Sequence, residues 1–289
     1  PLPLIFCFWH IYLDAHQDRK PIPNTPAFAF LLGSVVLEQV GAGILGFTMT
    51  FALTNAWSHG TWVTLSHAHL ALFGTFGMLG IAAAYYAVPI MRGATDFDQR
   101  LGKLAFWLAF TGMLGLAFAF AIGGTIQVFV YRTLGLDWFG GDVAPAMHAT
   151  KLLIPIFGLV FAIGVGLLVF DLITMGRRAR STAGAIVARS AEAIGSYVER
   201  SVPRPASRWG LLLTGWEAGL WLLGMWFFGG VITLGLLSFN LNSVRAGDAM
   251  LPYLMAGVGY PGLFLVTLLF VRRFLSSLAA RQPVGATPE

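Results

Sequence analysis

The chain has 289 residues, of which 57% are hydrophobic and only 11% are charged, and its formal net charge is +5. Soluble domains carry about 25% charged residues, so this chain lacks the polar surface needed to face water on all sides. The positive charge does not indicate nucleic-acid binding, because the basic residues cluster between apolar runs, where membrane topology explains them. A single cysteine, Cys7, excludes an internal disulfide and a metal site built from cysteines.

The apolar runs predict membrane-spanning helices, since a helix of about 20 residues crosses a bilayer and no alternating strand pattern is present. We predict an all-α integral membrane protein, a polytopic helical bundle of about seven spans. The chain starts at Pro1 inside the first run, which is short for a span, so we interpret the sequence as the C-terminal part of a longer protein. The predicted spans are 2–14, 26–54, 62–91, 102–132, 150–175, 210–238 and 250–271.

The basic residues predict the orientation of these spans. Of the 18 Lys and Arg residues, 15 fall in 15–25, 92–103, 177–209 and the tail from 272, which share one side if the spans alternate. The positive-inside rule makes that side cytoplasmic. We therefore expect a bundle at 1–176, a basic cytoplasmic loop at 177–209, and two additional spans with a tail at 210–289.

The cytoplasmic segment contains a candidate surface helix. The stretch AGAIVARSAEAIGSYVER, within 177–209, has the composition of a basic amphipathic helix. Such a helix lies against anionic lipid, and the alternative is a solvated linker whose charge only fixes topology.

The stretch SHAHL (66–70) places His67 and His69 one residue apart near the outer end of the third span. Positions i and i+2 of a helix lie about 200° apart, so the two rings face opposite sides and cannot bind one metal ion. They are able to serve two irons, with one flat macrocycle on each flank of the helix. The alternative is that each ring is a hydrogen-bonded packing or proton-relay residue.

The stretch HGTWVTLSHAHLALFGTFGMLGIAAAYYAVPIMRG (59–93) surrounds the two histidines. It resembles the catalytic subunit of the nitric oxide reductases of bacteria, a branch of the haem–copper oxidase superfamily. The resemblance covers roughly residues 1–175, about the second half of that subunit, and leaves the last two spans outside the usual bundle. Weaker matching stretches are PLP (1–3), GAGILGF (41–47) and GGTIQVFVYR (123–132).

The resemblance implies a function and a role for each ring. It implies an oxidoreductase that reduces nitric oxide to nitrous oxide at a haem b3/non-haem iron centre, fed with electrons by a low-spin haem b. His67 is then the axial ligand of the high-spin haem b3, and His69 is one of the two axial ligands of haem b. The protein is expected in a bacterial inner membrane with its haems towards the periplasm, and its electron donor is either a cytochrome c subunit or a quinol.

The ligands of the non-haem iron are missing from this chain. The family uses three histidines from earlier helices, including an adjacent pair, and none of the six histidines here forms that pattern: His10, His16, His59, His67, His69 and His148. We therefore expect those ligands upstream and do not expect the fragment alone to be active. Two alternatives remain, an oxygen-reducing terminal oxidase of the cbb3 type and a non-catalytic haem-binding membrane protein.

Three further polar residues are candidates for the site or its surroundings. Glu38 lies mid-span, where an intramembrane carboxylate serves either proton uptake or a hydrogen bond to a haem pocket. The alternative is that Glu38 pairs with a residue of a neighbouring helix, which the nearby glycines allow to approach closely. His59 lies at the outer boundary, where it either contacts haem propionates or is an ordinary interfacial histidine. Glu217, in the additional spans, is interpreted as a structural pairing residue.

Overall fold

The computed structural model describes residues 24–92, 97–135, 145, 147–199, 215–240 and 254–280. These residues are helical almost throughout, and no β-strand occurs among them. Their helices are α1 (Thr25–Thr50), α2 (Ala52–Ser58), α3 (Trp62–Met91), α4 (Arg100–Gln127, continuing as Val128–Thr133), α5 (His148–Glu199), α6 (Gly215–Asn240) and α7 (Met255–Gly259, continuing as Tyr260–Ala280).

The polytopic helical fold predicted from the sequence is confirmed. Six helical segments of the described chain are long and apolar enough to cross a membrane. They correspond to six of the seven predicted spans, and the remaining one, 2–14, lies outside the described residues. The six segments are Thr25–Thr50, Trp62–Met91, Arg100–Tyr131, His148–Met175, Gly219–Leu237 and Met255–Ser276.

Local sequence explains where α1 and α3 begin. The Asn24 side chain accepts a hydrogen bond from the backbone N–H of Ala27 at 3.1 Å, and Pro26 lies in the first turn, where its missing N–H costs nothing. Thr61 caps α3 in the same way by accepting from Val63 N at 3.2 Å. Gly60 precedes this cap with a φ of +74°, a conformation that favours glycine.

Helix α5 continues well beyond its apolar span. It has 52 residues, which corresponds to a length of about 78 Å, whereas the membrane-grade part ends at Met175. The backbone of the basic segment is therefore helical up to Glu199, and residues 200–209 lie outside the described residues.

The helices differ strongly in how much protein surrounds them. In the most apolar window of α1, 83% of the residues are buried, against 11% in α5. Helix α5 packs along α4, where a Cβ added at Gly112 would lie 2.5 Å from the backbone nitrogen of Phe161. Small residues of this kind allow membrane helices to approach closely. Helix α1 is thus central, and α5 is peripheral with an apolar outer face.

The two additional helices pack directly on the part that resembles the reductases. Helices α6 and α7 contact each other, and together they contact α1, α2 and α4. The hydroxyls of Thr48 and Thr233 are 2.8 Å apart, which joins α1 to α6. The rings of Phe28 and Phe274 stack with centroids 6.4 Å apart, which joins α1 to α7. The hairpin of α6 and α7 therefore shares a core with α1.

An ion pair joins the two helices of this hairpin. Arg273 donates from Nε to Glu217 Oε1 at 2.8 Å and from a terminal nitrogen to Oε2 at 3.1 Å. The two side chains are only 11% and 24% exposed. Two parallel hydrogen bonds between charged groups fix the register of α6 against α7. Glu217 thus pairs structurally, as the sequence interpretation expected.

Loss of this pair should destabilise the hairpin. We expect Glu217→Ala to lower the free energy of unfolding by about 2 kcal/mol, because the Arg273 guanidinium loses its charged acceptors where little water replaces them. Thermal unfolding in detergent measures this. The exchange of both charges, Glu217→Arg with Arg273→Glu, is the matched control and should recover part of the loss. A single variant as stable as the parent would mean that the ion pair does not hold the hairpin.

Candidate functional site

Helix α3, which carries His67 and His69, is fixed at its start by α4. The backbone N–H of Trp62 donates to the side-chain oxygen of Gln127 at 2.8 Å. A Cβ added at Gly124 would lie 2.1 Å from the backbone nitrogen of Val63, so the two helices nearly touch there. The first turns of α3 are therefore held in a defined position, and both histidines follow within the next two turns.

The ring of His67 lies against α1. Its Nδ1 is 2.8 Å from the carbonyl oxygen of Gly41, and a Cβ added at Gly46 would lie 3.0 Å from its Cε1. A Cβ added at Gly41 would lie 2.4 Å from the Cβ of Leu70, so the two helices approach closely at this point. Gly41 and Gly46 thus form the cradle that receives the His67 ring.

The ring of His69 lies against α4 instead. It contacts Phe120, with ring centroids 4.8 Å apart and planes inclined by 39°. Its Nδ1 is 2.8 Å from the carbonyl oxygen of Leu65, one turn earlier on the same helix. The two histidines therefore contact different helices and have different hydrogen-bond partners.

The hydrogen bonds identify which nitrogen of each neutral imidazole carries the hydrogen. A carbonyl oxygen only accepts, so in each ring Nδ1 carries the hydrogen and donates it. In the neutral ring the lone pair then lies on Nε2, and neither Nε2 has a hydrogen-bond partner within the described part of the chain. Both side chains are half-buried, so each Nε2 is neither sealed in the core nor freely solvated. A carbonyl acceptor at one ring nitrogen is an arrangement that orients histidines as metal ligands, so each of the two rings would be able to hold one iron through Nε2.

Both helices are π-helical where they meet beside the histidines. The π-helical segments are Gln39–Gly46 in α1 and His69–Gly77 in α3, and they contact each other. Such segments are rare and occur frequently at functional sites, because they displace side chains relative to a regular helix. The sequence pattern predicts regular helices here, and both segments depart from that prediction.

The other predicted site residues lie around this region. Glu38 is half-buried at the last α-helical position before the π-helical segment of α1. His59 is exposed and directly follows the last residue of α2, three residues before the first residue of α3. Their roles beside the two histidines stay predictions.

A buried carboxylate, Asp171, was not among the candidate residues predicted from the sequence. Asp171 is 2% exposed within the apolar span of α5 and accepts a hydrogen bond from the hydroxyl of Tyr85 at 3.0 Å. A carboxylate inside an apolar run was the available signal. Its partner on α3, Tyr85, could not be predicted from the sequence, because the packing of α5 against α3 is a tertiary contact.

Comparison with known proteins establishes the family. The family described as "Cytochrome C and Quinol oxidase polypeptide I" matches residues 2–160, more than half of the chain. The chain belongs to this family. The polytopic helical fold expected from the resemblance is thereby confirmed.

Individual relatives of this oxidase family match over limited regions. A nitric oxide reductase subunit of Stutzerimonas stutzeri is 29% identical over 136 residues, which are 46% of this chain and 29% of that protein. Heme-copper oxidase subunit I+III of Aeropyrum pernix is 28% identical over 158 residues, which are 54% of this chain and 18% of that protein. Cytochrome c oxidase subunit 1 of Corynebacterium diphtheriae is 40% identical over 55 residues, or 19% of this chain and 10% of that protein. The matched part of this chain thus spans less than a third of each of these relatives.

Proposed function

We propose that this chain is the haem-bearing part of a nitric oxide reductase catalytic subunit. The proposed reaction is 2 NO + 2 e⁻ + 2 H⁺ → N2O + H2O. The observation that supports it is the pair of oriented imidazoles on α3, His67 against α1 and His69 against α4, in a member of the oxidase family. Similarity to the nitric oxide reductase of Stutzerimonas stutzeri over 136 residues supports the choice of substrate.

The proposal gives each residue a limited task. His67 holds the iron of the high-spin haem b3 through Nε2, and the Gly41 carbonyl keeps that ring in the required tautomer and orientation. His69 holds the iron of the low-spin haem b in the same way, with the Leu65 carbonyl as its orienting partner. When bound, the haem irons supply the one-electron chemistry that the reaction requires. We further assign His59 to contact with haem propionates and Glu38 to proton delivery or a pocket hydrogen bond.

The non-haem iron of the proposal depends on ligands outside this chain. No group of three or more His, Cys, Asp or Glu side chains in the described ranges is arranged to hold a metal ion. The parent protein is expected to supply an adjacent His–His pair and a further histidine from earlier helices. The electron donor, a cytochrome c subunit or a quinol, is likewise expected from outside this chain.

A specific observation favours a second candidate. The matches to cytochrome c oxidase subunit 1 are higher in identity, 40–43%, although they extend over only 51–55 residues. These matches favour an oxygen-reducing oxidase as the alternative, expected from the sequence to be of the cbb3 type, and a non-catalytic haem protein is the third candidate.

Turnover of the complete protein decides between these functions. We expect the protein purified with its haems to consume nitric oxide and release one N2O for every two NO. Electrode measurements with NO and with O2, alongside gas analysis for N2O, test this. Rapid O2 uptake without N2O formation would support the oxidase, and haem without turnover of either gas would support the third function.

The orientation in the membrane is a separate prediction. Because 15 of the 18 basic residues fall on one side, the helix around residue 190 should be cytoplasmic and the segment around residue 140 periplasmic. Reporter fusions at these two positions measure this. A periplasmic signal from the fusion near 190 would place the His67 end of α3 on the cytoplasmic side, contrary to the proposal.

Close approach at Gly41 should control the His67 site. We expect Gly41→Ala to reduce the high-spin haem content and the thermal stability of the complete protein, because its Cβ would meet Leu70 and force α1 away from α3. Overpacking of this kind costs about 1–3 kcal/mol. The control is Gly80→Ala on α3, where nothing lies within 4 Å of the added atom. Equal haem content in both variants would show that the cradle does not position His67.

A further inference from the structure

The hydroxyl of Tyr260, on α7, is buried without a partner. Tyr260 is 4% exposed, and its Oη is the buried side-chain atom of the described residues that lacks any hydrogen bond. The hydroxyl of Thr125 on α4 donates its hydrogen to the Ala121 carbonyl at 2.9 Å and makes no hydrogen bond to Tyr260 Oη of acceptable geometry. Buried hydroxyls are almost always hydrogen-bonded, because an unsatisfied one loses its interactions with water and gains nothing in return. A polar group bound beside Tyr260 would supply the missing hydrogen bond.

A small cavity adjoins this residue. It has a volume of about 20 Å³ and is lined by residues of α1, α3, α4 and α7. Its walls are apolar except for two residues, Tyr260 and Ser66, which is 1% exposed. Ser66 immediately precedes His67, so the cavity lies beside the helix turn that carries the first histidine.

We propose that this cavity binds one water molecule between the hydroxyls of Tyr260 and Ser66. Its volume of about 20 Å³ exceeds the roughly 10–15 Å³ that one water requires on this measure. Empty cavities in proteins are lined by apolar groups, whereas this one has two hydroxyl-bearing residues, one of them unpartnered. The Tyr260 hydroxyl donates to the water, and the water donates to Ser66 Oγ.

This water connects one residue inside the region that matches the family with one residue outside it. Tyr260 belongs to α7, outside residues 2–160, whereas Ser66 lies on α3 within them. The water therefore supplies a polar link between the additional hairpin and the turn before His67. The link does not depend on which gas the protein reduces.

The direction in which one substitution changes the melting temperature tests the site. Tyr260→Phe removes one hydroxyl and keeps the ring, and we expect it to lower the melting temperature of the complete, haem-loaded protein by about 1–3 °C, because a satisfied hydrogen bond is lost. If the cavity were dry, the same change would remove an unsatisfied buried group and raise the melting temperature. The matched control is Tyr86→Phe, whose side chain is 66% exposed on α3 and should leave the melting temperature unchanged.

A double substitution tests the bridge. One shared water predicts that Ser66→Ala combined with Tyr260→Phe costs no more than the larger single effect, because either change releases the same molecule. A high-resolution structure should show one ordered peak within hydrogen-bond distance of both hydroxyls, absent after Tyr260→Phe. A higher melting temperature for Tyr260→Phe, strictly additive losses, or a map without the peak would each overturn the proposal.

Discussion

His67→Ala is expected to abolish nitric oxide turnover in the complete protein and to remove the high-spin, ligand-binding haem signal. The substitution deletes the Nε2 that the proposal assigns to haem b3, and no other described histidine lies in the Gly41–Gly46 cradle. Loss of even an orienting partner of a metal ligand costs about 10–100-fold in activity or affinity, so loss of the ligand should cost more than about 100-fold.

The low-spin haem should survive this change. His69 contacts Phe120 and bonds to Leu65, and neither contact involves the His67 ring. The control is His148→Ala, since that histidine is exposed at the start of α5 and should affect neither turnover nor spectrum. Turnover that persists in His67→Ala would exclude this residue as the haem b3 ligand.

His69→Ala is expected to have the opposite spectral effect. The low-spin bis-histidine signal should disappear, because one of its two axial ligands is gone, while the high-spin centre still binds an external ligand such as carbon monoxide. Turnover should also fall by more than about 100-fold, since electrons reach the high-spin centre through the low-spin haem.

A neighbouring substitution separates ligation from packing at this residue. Phe120→Leu removes the ring that contacts His69 at 4.8 Å but leaves the imidazole and its bond to Leu65 in place. We expect this variant to keep the low-spin signal, with at most a shift in its position. Equal loss of the signal in Phe120→Leu and His69→Ala would indicate that His69 acts by packing.

The spans were predictable because a long apolar run bounded by charged residues, Pro and Gly has few structural alternatives to a membrane-spanning helix. Both ends of α3, Trp62 and Met91, agree with the predicted span 62–91. The regular 100° rotation per residue also predicted that His67 and His69 point away from each other, and their rings do lie against different helices.

The partners of these residues were not predictable in the same way. The GAGILG stretch indicated close approach, but not that the Gly41 carbonyl would accept the His67 hydrogen bond, because that depends on the register of α1 against α3. The π-helical segments, the Tyr85–Asp171 bond and the unpartnered Tyr260 hydroxyl arise from tertiary packing as well. Periodicity within one helix carries no information on which residue of another helix it meets.

The most direct test of one imidazole for each haem is a side-by-side optical and EPR comparison of His67→Ala and His69→Ala. Each variant is purified as the complete protein, and its haem is quantified per polypeptide. We predict complementary losses, with the high-spin signal missing from the first variant and the low-spin signal missing from the second. Loss of the same haem in both variants, or of neither haem in either, would contradict the account and leave the histidines as packing or relay residues.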